Sequence, residues 1–570
     1  MAAAPYQDDD AQSFTTVETA EPVFSGDFAT LTPDNIAARA AFDGVVAFLE
    51  AGTASADPYH AQFLSVNVAS EPATADSPSS QTSSPSTPPP PTQGHYRLSL
   101  DKLPEGPNAS WRIGRGSAHT NGFGNGVDLL LVPPGQHRGQ GVANVHALIS
   151  IHRLSGAFML RSTSNRPIKY LSAAEDGRDL VLRRGEQTVI YRTENRFRIG
   201  ELDYILTIDV EHESHFEKIR NEFITSVLAQ PSLPHPQLDV IPQPYHQKIA
   251  GYIIHKPISS GAFGMVRSAV DSRTGDPVAV KRVSCRSYRD VRAVDTEMRI
   301  ACRFLPRGGY DENCNIIPLL SQWCEHVSTP PCGRTPEDIF LAMPLARTDF
   351  AHLDWSAITM DVRLALFHCT LTGLSRIHAS NVMHRDISSK NLLVCSLHPP
   401  SAAICDFGKA IDKPYDTETA IGPIDTVAPE VWQATPARPY GPAVDVWSMG
   451  YAWLSTFGSL LRFFSAANNR KTDEKRHQRI QLELDERVKA GIIPAALGSL
   501  IRSMMEYNPR FRYTAAQALE HPVWISLVTR RSVGSDDGNA AKRARLLSPE
   551  ADDPPEPPKP PSPLPDTEPN

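Results

Sequence analysis

The sequence predicts a multidomain protein: a β-sandwich in the N-terminal half, a larger folded domain after it, and disordered termini. Three observations predict this. At 570 residues the chain is too long for a single hydrophobic core. Residues 94–212 break into short β-like runs separated by Gly, Pro and Asn, as the strands of a sandwich do. The 50 prolines fall largely in runs, and a hydrophobic content of 41% is below that of an average globular chain, so folded domains are diluted by polar segments.

In chain order, residues 1–93 read as mostly disordered, with Glu71 to Pro91 built almost wholly of Ser, Thr, Pro and Ala. A short helix is expected at Pro33 to Glu50, with Thr32 as its cap, Pro33 in its first turn and Gly52 as its stop. The sandwich strands are expected at Val127–Val132, Ala147–Ile151, Phe158–Leu160, Thr188–Tyr191 and Tyr204–Ile208. A linker follows at 213–247, then the large domain at 248–528, then a Pro-rich, charged tail at 529–570. The net charge of −8 argues against direct nucleic-acid binding, which needs a basic face. All eight cysteines lie between Cys285 and Cys405 without CxxC spacing, which reads as reduced thiols and not as a disulfide framework or zinc site. No apolar run approaches the roughly 20 residues that span a bilayer. A nuclear or cytoplasmic protein is the expectation, and the basic clusters Thr529–Arg531 and Lys542–Arg545 have the form of a two-part nuclear import signal.

The large domain carries the chemistry. Ser259 to Val266 is a glycine-bearing turn, with Gly261 and Gly264 allowing backbone to approach phosphates. Val278-Ala279-Val280-Lys281 places one lysine on an apolar strand, and Glu297 lies on an expected helix at Val291 to Phe304. His384 to Asn391 puts Asp386 and Asn391 on one tight loop, and Asp406-Phe407-Gly408 follows. Ala428-Pro429-Glu430, Asp445 to Gly450 and Asn508 to Arg512 come next, in that order. This series resembles the eukaryotic protein-kinase catalytic core over about 280 residues, with a bilobal α+β fold implied.

The resemblance implies ATP and Mg²⁺ as cofactors and protein substrates phosphorylated on Ser or Thr. By it, Lys281 holds the α/β-phosphates and Glu297 orients it. Asp386 orients the substrate hydroxyl, and Asn391 and Asp406 hold Mg²⁺. Val266, Ala279 and Leu393 sandwich the adenine, with Ser259, Gly261 and Gly264 over the phosphates and Met343 to Ala346 as hinge. Glu430 pairs with Arg512. Arg385 is matched to an arginine that pairs with a phosphorylated loop residue, for which Thr417 and Thr419 are the candidates. Departures are Ser259 for the first glycine, Ser388 for a lysine near the transferred phosphate, Pro423 for a threonine and Thr426 for a tyrosine. Lys390 is long enough to cover the charge missing at Ser388.

In the N-terminal half, Trp111 to Ser117, Val127 to Leu131, Val145 to Ile149, Phe158 to Leu160 and Asn165 resemble the FHA domain, a β-sandwich whose loops bind phosphothreonine. Arg115 is matched to its phosphate-binding arginine, Asn165 to its backbone-gripping asparagine and His146 to its loop-ordering histidine. Ala143 and Asn144 replace two residues that contact phosphate. The order of the two modules resembles the FHA-containing checkpoint effector kinases, with phosphothreonine-bearing proteins as further partners. Two other readings stay open: a nucleotide-binding pseudokinase scaffold, and a stress or autophagy kinase.

Overall fold

The computed structural model describes residues 26–51, 58–67, 93–104, 109–116, 126–133, 140–171, 179–228, 238–243, 245–261, 264–304, 315–324, 337–419, 426–458 and 473–525. The C-terminal tail with its basic clusters, the Ser/Thr/Pro tract of the N-terminal region and Pro423 lie outside them.

Two sheets face each other in the N-terminal half. One runs in the order Leu64–Asn67, Gln93–Ser99, Asp27–Pro33, Leu202–Ile208, Glu194–Ile199, Ile168–Tyr170, Leu180–Leu182. The other runs Gln187–Ile190, Phe158–Ser162, Ala147–Ile151, Trp111–Gly114, Leu129–Leu130. The period-2 pattern is plainest in Leu202–Ile208, where every second residue from Leu202 is buried. Between the sheets Phe28 stacks on Phe158 at 5.1 Å and meets Trp111 edge-on at 5.2 Å. Fully buried Asp128 accepts the Arg112 guanidinium at 3.0 Å through both oxygens, and the Tyr59 hydroxyl at 2.6 Å, so its charge is matched.

The domain boundary expected at residue 94 is corrected. The sandwich begins with Asp27–Pro33, a central strand paired to Leu202–Ile208 on one side and Gln93–Ser99 on the other. The expected helix is present as Ile36–Glu50, but its cap is Asn35, whose Oδ1 accepts the Ala38 N–H at 2.8 Å. Thr32 is instead paired with Ile205 inside the strand. Val127–Val132 shortens to the two-residue strand Leu129–Leu130. The expected linker at 213–247 contains a helix, Glu213–Glu222, whose Phe216 packs on Phe28.

The second half has a small and a large lobe. The small lobe is a six-stranded antiparallel sheet ordered Gln247–Ile249, Tyr252–Gly261, Gly264–Asp271, Pro277–Val283, Ile339–Pro344, Ser321–Cys324. Across it lies the helix Tyr288–Ala301, opened by a reciprocal Ser287/Asp290 capping box. The expected start at Val291 is therefore one turn late. The large lobe is helical, built on Met360–Ala379, Ala443–Ser455 and Ala495–Met504, with Phe367 stacked on Trp453 at 4.6 Å. The sandwich meets the small lobe through Met159, Val189 and Tyr191, which pack with Leu238, Val240, Ile253 and Val270. Backbone joins them too: the Val189 N–H donates to the Ser272 carbonyl at 2.8 Å.

Candidate active site

A cavity of about 650 Å³ lies between the lobes. Ser259, Gly264, Val266, Ala279 and Lys281 line it from the small lobe, and Lys390, Asn391, Leu393 and Asp406 from the large one. Met343 to Ala346 close the rear. Pro344 carries no N–H, and the Leu345 N–H donates to the Pro277 carbonyl at 3.3 Å. Gly264 sits at φ +128°, and a Cβ there would meet the Arg282 carbonyl oxygen at 1.9 Å, so only glycine closes this turn over the cavity. Gly261 pairs with Gly264 across the same turn.

At the inner end, Lys281 Nζ donates to Glu297 Oε1 at 2.9 Å and to Asp406 Oδ1 at 2.8 Å. Burial works against the ammonium, but the two carboxylates outweigh it and hold Lys281 above its ordinary value. Burial likewise pushes Glu297 up, even beside Lys281. For Asp406 burial is outweighed by Lys281 and the Gly408 N–H, so its carboxyl lies below the usual range and stays ionised. Strand pairing explains why the lysine arrives there: Lys281 is opposite Val266 on one side and Leu341 on the other, with its side chain on the cavity face.

The structure brings the catalytic-loop candidates Asp386 and Asn391 into contact. Asn391 Nδ2 donates to the Asp386 carbonyl at 2.7 Å and to Asp386 Oδ2 at 3.1 Å. Burial, reinforced by the Asp406 charge, raises Asp386 above the ordinary carboxylate range. That displacement suits a group that takes up a proton transiently. Phe407 is buried, stacking on Phe304 at 5.4 Å with His384 at 5.2 Å, which keeps Asp406 aimed at the cavity. Arg385 and Asp406 both adopt positive φ, +63° and +66°, strained conformations for non-glycine residues that the surroundings must hold.

Sequence reasoning treated Asp445 only as part of a structural segment; its carboxylate is what holds the loop. Fully buried, it accepts the Arg385 N–H at 2.7 Å and the His384 N–H at 2.9 Å, with His378 Nε2 also at 2.9 Å. Burial is outweighed by these donors, and Asp445 lies below its ordinary value. Asp349 and His352 were also missed: both line the cavity just beyond the hinge, 2.8 Å apart. Their place directly after Met343 to Ala346 was the available signal. The expected Glu430–Arg512 pair is present as a two-pronged contact at 2.5 and 3.0 Å, with Arg512 buried.

Arg385 has its guanidinium on Asp416 and Glu418, while Thr417 is exposed and Thr419 half-buried beside them. In the sandwich, Arg115 Nε donates to Asn144 Oδ1 at 2.9 Å, and Asn165 Oδ1 accepts from Arg184 at 3.3 Å. His146 is buried and pushed down to about 4 by burial, so it is neutral; its Nδ1 accepts the Ala143 N–H at 3.1 Å.

Residues 252–525 match the family model described as the protein kinase domain. A mitogen-activated protein kinase 8 from Arabidopsis thaliana is 31% identical over 212 residues, 35% of this chain and 33% of its own. A mitogen-activated protein kinase 12 from Oryza sativa subsp. japonica is 26% identical over 313 residues, 48% of this chain and 51% of its own. Among solved structures, the MAP kinase LmaMPK10 from Leishmania major aligns at 23% identity over 49% of this chain and 84% of that one, with a TM-score of 0.37. The chain thus spans about a third to a half of the length of these curated relatives. Over residues 252–525 the chain is similar to protein kinases, a family that uses ATP and Mg²⁺.

Proposed function

We propose that the chain is an active serine/threonine protein kinase. The observation that carries this is Lys281 held between Glu297 and Asp406, with Asn391, which lines the same cavity, bonded to Asp386. The residues fit the nucleotide. The cavity walls are apolar where a base would lie, its roof turn excludes any Cβ at Gly264, and cationic Lys281 faces the phosphate end. Asp406 and Asn391 are oxygen donors of the kind Mg²⁺ takes, leaving its other positions to phosphate and water.

Bound Mg·ATP supplies the phosphoryl group and the charge that neutralises it in transfer. Lys281 orients the phosphates, Asp386 orients the acceptor hydroxyl and takes its proton, and Asn391 keeps Asp386 turned inward. Lys390 lines the cavity next to Asn391, which supports a role in supplying the charge absent at Ser388. The test is nucleotide-dependent transfer to Ser and Thr of a generic protein acceptor, lost in Asp386→Ala with nucleotide affinity kept. Transfer unaltered in that variant would overturn the assignment.

For the sandwich we propose FHA-like recognition of phosphothreonine by Arg115 and Asn165. In support, the Arg115 N–H donates to the Ala143 carbonyl at 3.1 Å and the Thr163 N–H to the His146 carbonyl at 3.1 Å, so the three loops share one end. A phosphothreonine peptide is expected to bind wild type and to lose about tenfold or more in affinity with Arg115→Ala. Equal binding of the unphosphorylated peptide would contradict this. The module order supports checkpoint-type signalling, and the reduced cysteines with the basic C-terminal clusters support a nuclear or cytoplasmic location.

A further inference from the structure

Among its described residues, the loop that follows Asp406 carries three carboxylates, one tied to Arg299 and Arg303 and two to Arg385. Asp412 Oδ2 accepts from Arg299 and from Arg303, both at 2.7 Å. Arg299 is two residues beyond Glu297 on the helix Tyr288–Ala301, so Asp412 pulls on the helix that presents Glu297 to Lys281. Asp416 and Glu418 then take the guanidinium of Arg385, Glu418 at 3.2 Å. Arg385 Nε donates to the Lys409 carbonyl at 2.8 Å, and the Tyr440 hydroxyl lies between Asp416 Oδ2 at 3.1 Å and the Glu418 carbonyl at 2.8 Å, with one proton to give to either. The backbone of Asp416 and Tyr440 is paired in both directions, at 2.9 and 3.0 Å.

The Arg385 side chain is only 6% exposed, and a guanidinium so enclosed needs an anion. Two carboxylates already meet it, two charges against one. A phosphate on Thr417 or Thr419 would bring roughly 1.5 to 2 further negative charges to residues adjoining that filled pair. Electrostatics therefore favours the loop without phosphate. Resting on the kinase reading above, we propose that Asp416 and Glu418 are positioning residues that order the segment through Arg385, so that the kinase is competent without phosphorylation of Thr417 or Thr419.

The test uses the full chain stripped of phosphate by a phosphatase and checked by mass spectrometry. It is compared with Thr417→Ala/Thr419→Ala, Asp416→Asn/Glu418→Gln and Asp416→Glu, with Asp386→Ala as the inactive control. The phosphate-free wild type and the double alanine variant should keep kcat within about twofold. The doubly neutral variant should lose about tenfold or more in kcat with KM for ATP within about twofold, and Asp416→Glu should recover most of it. A merely structural role would lower nucleotide affinity and thermal stability along with kcat. Hydrogen exchange reads the ordering even in a chain that transfers nothing. Residues 408–418 should be protected in phosphate-free protein and lose protection in the doubly neutral variant. Unprotected amides there, or activity that appears only after phosphate is added to Thr417 or Thr419, would overturn the proposal. Absence of transfer in every form, with protection intact, would instead overturn the kinase reading.

Discussion

Replacing Asp445 by asparagine isolates the positioning of the catalytic loop from the chemistry, because this carboxylate is fully buried beneath the loop and does not line the cavity. It accepts three donors: the His384 and Arg385 backbone N–H groups and His378 Nε2. Asparagine keeps one oxygen. Its amide nitrogen takes the cheaper orientation, toward Arg385, because the other oxygen serves two donors. One buried N–H is then left unpaired, a cost of about 1–3 kcal/mol, and the remaining bonds lose the help of a charge. A central value of about 2 kcal/mol falls on a loop already strained at Arg385, and it corresponds to about a 30-fold fall in kcat if it is lost in the transition state. Nucleotide affinity should change little, since Lys281, Glu297 and Asp406 are untouched. The assay is steady-state transfer to a protein acceptor, with nucleotide affinity measured separately. A kcat within about threefold of wild type would refute the reasoning.

Three further outcomes follow from the same geometry. Asp386 is raised by burial, so its ionisation opposes folding and that cost appears as pH rises through its folded value; Asp386→Asn should abolish transfer yet raise thermal stability at neutral pH, read by thermal unfolding. Arg512→Ala removes the partner of Glu430 in a buried pair and should cost about 3–5 kcal/mol in denaturant unfolding of the large lobe. Asp128→Ala leaves the Arg112 guanidinium without its carboxylate under the sandwich and should destabilise that domain by a similar amount, about 3–5 kcal/mol, with kcat unchanged.

The residues of the candidate site stood out because they fall in short local runs. Lys281 on an apolar strand, Asp386 with Asn391 on one loop, and Asp406 before Phe407 and Gly408 each announce themselves within a few residues. What escaped reading depends on partners distant in sequence. Asp27–Pro33 has little to mark it as a central strand until Leu202–Ile208 pairs with it more than 170 residues on. Asp445 holds a loop 60 residues upstream, which no spacing rule connects. Asp416 and Glu418 read as ordinary loop acids; only the folded chain brings Arg385 between them. The helix cap at Asn35 in place of Thr32 has the same origin, because the strand claims Thr32 first.

The most direct measurement is radiolabel transfer from ATP with Mg²⁺, comparing the intact chain with Asp386→Ala and Lys281→Met on a generic acceptor and on itself. Label on serine or threonine that disappears in both variants, while Asp386→Ala still binds nucleotide, is the predicted result. Nucleotide binding with no transfer by the wild-type chain would contradict it and make the domain a nucleotide-binding scaffold.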